Sequence, residues 1–140
     1  MAKNTKVKFF KTKFDKVPAY TFSLKVSQLV KISYVAVRGK DKEEGAVQRV
    51  LSTRRIADIK DYILEGNLFF NSFIINWNNN DCKPTINDDT IELPLIDSSA
   101  QVIDGQHRLA GLEAAIESNP AIGKMEVIVT LCIGLKTSEA

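Results

Sequence analysis

The sequence predicts an α+β domain in which strands and helices pack around one small mixed sheet. Three observations predict this. Tyr20, Phe22, Leu24 and Val26 alternate with polar neighbours at a period of two, the pattern of a half-buried strand. Two segments carry apolar residues at the i, i+3, i+7 spacing of a helix face. Met125 to Leu135 (MEVIVTLCIGL) is a nearly continuous apolar run of strand length, as a strand buried on both faces requires. The chain has 140 residues, 44% of them hydrophobic and 26% charged, which suits one core and excludes disorder and collagen-like repeats.

Residues 1–18 read as a basic arm, with Lys3, Lys6, Lys8, Lys11, Lys13 and Lys16 opposed only by Asp15 and an end at Val17-Pro18. The domain proper is assigned to residues 19–140, starting with the strand at Tyr20. Val30 to Val37 fits either a strand or a short helix followed by a strand, and Arg38 to Gly45 (RGKDKEEG) is a charged loop. Ser52 or Thr53 can cap a helix of about 53–65 whose Ile56, Ile59 and Ile63 share a face, with Gly66 to stop it. Leu68 to Trp77 (LFFNSFIINW) is aromatic and β-branched, so it reads as a core strand. The helix before it is expected to pack on that strand, with Arg54 outward and Arg55 near the turn described below. Asn78 to Asp81 makes a turn, and residues 85–93 make an edge hairpin around Asn87-Asp88-Asp89. Ala100 to Ile103 leads to a second helix, about 106–118, with Leu109, Leu112 and Ile116 on one face and a stop at Asn119-Pro120.

Several function classes drop out. No apolar run approaches the roughly 18 residues of a membrane span, and the lysine-rich N-terminus lacks the apolar core of a signal peptide. The expectation is a cytoplasmic protein without membrane contact. Cys82 and Cys132 are far apart, there is no CxxC and there is a single histidine, so neither a zinc site nor a disulfide framework is expected. The net charge of +2 is too small to argue for nucleic acid, but the lysine-rich segment and a second cluster, Arg49, Arg54 and Arg55, are suited to phosphates of DNA. A solvated, solubilising arm accounts for the lysines equally well.

The segment richest in chemistry is Gln101 to Leu112 (QVIDGQHRLAGL), a strand, a polar turn and an amphipathic helix. Gly105 permits positive φ or close approach of a ligand. The residues after it occupy a first helical turn, where N–H groups and the helix dipole favour an anion. Arg108 offers a guanidinium fork for phosphate, and His107 a donor or proton shuttle. Asp104 would repel a bare phosphate, which points to a bound Mg²⁺ or a hydroxyl to deprotonate. A purely structural turn is the other reading, with Asp104 capping the helix, Gly105 relieving strain and Arg108 pairing with Asp58 or Glu113.

The block Asp104 to Arg108, DGQHR, resembles the name-giving motif of DGQHR-domain proteins, which include the DNA phosphorothioation-associated DndB family. Upstream, Val47-Gln48-Arg49-x-Leu51-Ser52 with Arg55, Ile59, Tyr62 and Ile63 is similar to that family's QR-x-L-S helix, followed by its apolar strand at Phe69 to Trp77. Order and spacing agree over roughly residues 20–135. The family in turn resembles the ParB/sulfiredoxin superfamily, in which a strand–G-x-x-R–helix turn holds nucleotide phosphates, and the D-G-H-H-R block of a free-serine kinase is similar to Asp104–Arg108. The resemblance implies a ParB/sulfiredoxin-like fold and phosphate ligands at Gly105, Gln106, His107 and Arg108. Arg49 and Arg55 would face the same pocket, and Asp104 would be a base or a Mg²⁺ ligand. Sulfiredoxin activity is excluded, because Gln106 stands where its catalytic cysteine would be and supplies no thiolate at that position. CTP preference does not carry over, because Gln106 and His107 replace an acidic residue and an arginine. Family members continue further than Thr137-Ser138-Glu139-Ala140, so the chain is expected to be an N-terminal portion or a minimal version.

Two functions follow as expectations. One is a DndB-like, DNA-associated accessory or regulatory protein of phosphorothioate modification or host defence, with ATP or another nucleotide and Mg²⁺ at the turn and weak, non-specific DNA contact. The other is a Mg²⁺-dependent nucleoside triphosphatase or small-molecule kinase, which would need a second carboxylate from Glu43, Glu44 or Asp58. A homo-oligomer is compatible with either.

Overall fold

A computed structural model describes residues 3–14, 17–35, 52–67 and 72–133. The chain is α+β. A six-stranded sheet runs in the order β2 (Phe10–Phe14), β3 (Val17–Lys25), β9 (Glu126–Ile133), β5 (Phe73–Trp77), β8 (Ala100–Asp104), β4 (Ser33–Tyr34). It is mixed: β9 is antiparallel to β3 and parallel to β5, while β8 is antiparallel to β5 and parallel to β4. A three-stranded sheet places β7 (Thr90–Leu95) between β1 (Lys3–Lys8) and β6 (Thr85–Ile86). Among the described residues the helices are α1 (Val26–Ile32), α2 (Thr53–Leu64) and α3 (Gln106–Ser118), with a 3₁₀ turn at Pro120–Lys124.

One face of the large sheet is apolar because the registers align like with like. Phe22 pairs with Val129 and Val129 with Phe73; Tyr20, Leu131 and Ile75 make the next row. These residues are buried together with Leu29 and Ile32 of α1 and Leu109, Leu112 and Ala115 of α3. The other face carries polar side chains at the same strands: Thr21 pairs with Thr130, and their hydroxyl oxygens lie 3.1 Å apart.

Several expectations hold. Ser52 caps α2, its Oγ accepting from the Arg55 N–H at 3.2 Å, and Gly66 follows the helix at φ +98°. Helix α3 spans 106–118 and ends at Asn119. The hairpin turns at Asn87, whose N–H donates to the Thr90 carbonyl. Of the segment from Val30 to Val37, residues 30–34 form the end of α1 and the short β4.

Others are corrected. The lysine-rich segment read as an arm forms β1 and β2, paired with β7 and β3. Lys6 and Lys8 alternate with Val7 and Phe9, so the two lysines are exposed while Val7 and Phe9 pack against the core, Phe9 edge-on to Tyr20 at 5.1 Å between ring centroids. The hairpin strand β7 is consequently central in its sheet, with β6 at the edge. Helix α2 packs closely on α3, a partner the stripe did not name: a Cβ built at Gly111 would lie 2.4 Å from Ile59 Cγ2, a closeness only glycine allows. The charged loop at 38–45, Arg49, the Gln48–Leu51 part of the upstream motif, Glu43, Glu44, residues 68–71 and the end of the last apolar run lie outside the described residues. No helix among the described residues is long and apolar enough to cross a membrane.

Candidate functional site at the β8–α3 turn

Strand β8 delivers Asp104 to its last position, where the side chain is 64% exposed. Gly105 follows as the N-cap of α3 at φ +107° and ψ +21°, a left-handed conformation that turns the chain from strand to helix in one residue. Having no side chain, it supplies no capping oxygen to the first turn of α3. Its Cβ position is also closed, at 2.7 Å from Phe73 Cδ1 and 3.2 Å from Arg108 Nη2. Glycine is therefore required here twice over.

Arg108 leans back over this turn. Its guanidinium carbon lies 4.6 Å from the centroid of the Phe73 ring, Nη2 donates to the Ser72 carbonyl at 3.3 Å, and Nη2 stands 3.9 Å from Asp104 Oδ2. The last distance is too long for a hydrogen bond but close enough for attraction. Burial lowers the Arg108 pKa, and the Asp104 carboxylate raises it in partial compensation. The side chain keeps 17% exposure, so the cation is held rather than solvated. Asp104 thus takes the place at Arg108 for which the sequence offered Asp58 or Glu113.

His107 meets a second helix. Its Nε2 accepts the backbone N–H of Ser52 at 3.0 Å, which requires a neutral imidazole with the proton on Nδ1. Since Ser52 is the N-cap of α2 and His107 lies in the first turn of α3, the positive ends of two helix dipoles converge at this imidazole. Gln106 turns the other way: it is buried, and its Nε2 donates to the carbonyls of Ile103 at 2.8 Å and Val102 at 3.4 Å. Its side chain stitches the turn to β8. Arg54 and Arg55 are exposed in the first turn of α2, on the helix whose N-terminus reaches His107. Asp58 is exposed further along α2. No group of three or more His, Cys, Asp or Glu side chains suited to a metal occurs among the described residues.

Three members of this constellation have no signal in the motif itself. Phe73 opens β5 and Ser72 precedes it, both more than thirty positions upstream, and the Ser52 contact is made by a backbone N–H. A run of apolar strand residues at 73–77 is the one sign in the sequence that Phe73 lies inside.

The architecture thus defines a class, an α+β domain whose polar strand-to-helix turn is braced by an aromatic ring and by a second helix N-terminus. A family model described as DndB, DNA-sulfur modification-associated, matches residues 9–140, and the chain belongs to the DndB family. Membership associates it with DNA-sulfur (phosphorothioate) modification. Neither a curated protein nor a solved structure gives a significant match.

Proposed function

We propose that this chain is an accessory or regulatory protein of DNA-sulfur modification that binds a nucleotide through its phosphates at Asp104–Arg108 and uses that occupancy as a switch. The observation that carries the reading is the convergence of the α2 and α3 N-termini on His107, beside the half-buried Arg108 cation. Aligned N–H groups, two helix dipoles and a guanidinium are the donors that an oligophosphate uses. The likeness of the DGQHR block to nucleotide-binding turns of the ParB/sulfiredoxin superfamily points the same way.

Each residue has a distinct part in this reading. Gly105 and the first-turn backbone of Gln106, His107 and Arg108 approach the phosphates, and Arg108 neutralises them. Arg55 adds charge from the α2 side, and Arg49, which lies outside the described residues, is given a phosphate-binding part by the family resemblance alone. Asp104 is the one exposed carboxylate of the turn, and it suits a Mg²⁺ ion held by one carboxylate and the phosphates themselves. Bound Mg²⁺ would screen phosphate charge. Weak contact with duplex DNA is assigned to the exposed Lys6, Lys8 and Lys11.

The test is a thermal-shift screen of nucleoside tri- and diphosphates with and without Mg²⁺. A specific ligand at 100 times its Kd stabilises by about 2.7 kcal/mol. A rise confined to triphosphates with Mg²⁺ supports the reading, and phosphate release in the same samples would favour the triphosphatase or kinase alternative. No shift with any nucleotide refutes it.

A further inference from the structure

We infer that Thr130, in the middle of the sheet, is a positioning residue for Arg108, acting through Ser72; the inference rests on the phosphate-site reading above. Thr130 is 5% exposed on β9, between the fully apolar Val129 and Leu131. Burying a hydroxyl there is costly unless it is bonded. It is bonded twice: Thr130 Oγ1 lies 3.1 Å from Thr21 Oγ1 and donates to Ser72 Oγ at 3.2 Å. Ser72 is the residue whose carbonyl accepts from Arg108 Nη2, and it immediately precedes Phe73, whose ring underlies the guanidinium.

The connection is short and one-directional. Strand β5 begins at Phe73, so Ser72 stands at the very entry to the strand. The Thr130 hydroxyl anchors it there by its side chain, in addition to whatever the backbone provides. Thr130 is itself fixed from both sides, in register with Thr21 on β3 and Ile74 on β5. The central strand therefore sets where the Ser72 carbonyl points, and that carbonyl sets one nitrogen of the Arg108 fork. A valine would fill the same space without the hydroxyl, so packing alone does not call for threonine at this position.

The test uses the full chain in four forms, wild type, Thr130→Val, Thr130→Ser and Arg108→Ala, titrated with ATP and separately with inorganic tripolyphosphate. Arg108→Ala should lose at least about thirtyfold in affinity for both probes, the equivalent of about 2 kcal/mol. Thr130→Val should lose about three- to tenfold for both probes alike, because the phosphate contact and not a base contact is loosened, and Thr130→Ser, which keeps the hydroxyl, should stay within about twofold of wild type. Should Thr130→Val not fold, Ser72→Ala removes the same bond from the other end and should give the same loss. NMR of the Arg108 guanidinium reads the positioning without any ligand: its rotation should quicken in Thr130→Val and not in Thr130→Ser. Unchanged rotation and affinity in both Thr130→Val and Ser72→Ala, with Arg108→Ala still impaired, overturn the role of Thr130 while leaving the phosphate site standing. Equal losses in Thr130→Ser and Thr130→Val overturn it as well, since the methyl packing would then be what matters. Failure of wild type to bind either probe removes the phosphate site itself, and the inference with it.

Discussion

Gly105→Ala is expected to destabilise the fold by about 2–5 kcal/mol, and the structure separates the two causes. The first is conformational: a side chain at φ +107° costs about 1–2 kcal/mol. The second is steric. A Cβ would lie 2.7 Å from Phe73 Cδ1, and Phe73 is fully buried, so the ring cannot swing into solvent. Overpacking of this kind costs about 1–3 kcal/mol. Gly66 provides the internal control, because it has φ +98° but nothing within 4 Å of its Cβ position. Gly66→Ala should therefore show the conformational cost alone, and the roughly 0.4–1 kcal/mol that alanine recovers by restricting the unfolded chain lowers both costs alike and cancels in their difference. Urea denaturation of both variants, with equal m-values as the check on two-state behaviour, measures the difference directly. Gly105→Ala should be worse than Gly66→Ala by about 1–3 kcal/mol. If the two cost the same, the closed turn described here does not exist, and the Phe73–Arg108 brace is misplaced.

The remaining predictions concern packing, charge and partners. Gly111→Ala should destabilise by about 1–3 kcal/mol by pushing α2 off α3, and Ile59→Ala, which removes the Cγ2 it would strike, should cost much less in that background than alone; additive effects in a double-mutant cycle would contradict the α2–α3 packing. Burial first, and the Glu117 carboxylate second, raise the pKa of Glu113. A carboxyl raised in the folded state loses stability as pH climbs through its titration, and because Glu113 is exposed on α3 solvent screens the effect, so Glu113→Gln should gain no more than about 0.2–0.5 kcal/mol at pH 7 and nothing below about pH 3.5, where both states hold the proton. Lower stability at pH 7 would mean a favourable partner for that carboxylate. If the chain touches DNA through Lys6, Lys8 and Lys11, replacing all three with Ala should flatten the log–log salt dependence of affinity by about 0.9 for each phosphate no longer neutralised, in a filter-binding or anisotropy titration; an unchanged slope places the DNA surface elsewhere.

What is legible in the sequence is local. The Ser52 cap, the α3 boundaries at Gly105 and Asn119 and the turn at Asn87 all depend on residues within a few positions of one another. Choice of partner is not legible. The Ile56, Ile59, Ile63 stripe says that one face of α2 is covered, whereas what covers it depends on Gly111, a small residue inside α3 that admits a close neighbour. In β1 the strand alternation is present, with Val7 between Lys6 and Lys8, but the density of lysines is equally that of a solvated arm. The same division holds at the turn. The Asp104–Arg108 block and its glycine are legible, while the inward turn of Gln106, the Ser52–His107 bond and the Ser72–Phe73 seat of Arg108 are set by side-chain direction and by packing across the sheet.

The central claim, that this turn holds nucleotide phosphate, is tested most directly by calorimetric titration of ATP with Mg²⁺ into the wild-type chain and into Arg108→Ala and Arg108→Lys, each first shown to be folded at the working temperature. The account predicts binding by wild type that weakens with salt, a loss of about 2–4 kcal/mol in Arg108→Ala, and partial recovery in Arg108→Lys, which keeps the charge but not the fork. Equal affinity in folded wild type and folded Arg108→Ala would contradict it, and would leave Asp104–Arg108 as a structural turn braced by Phe73.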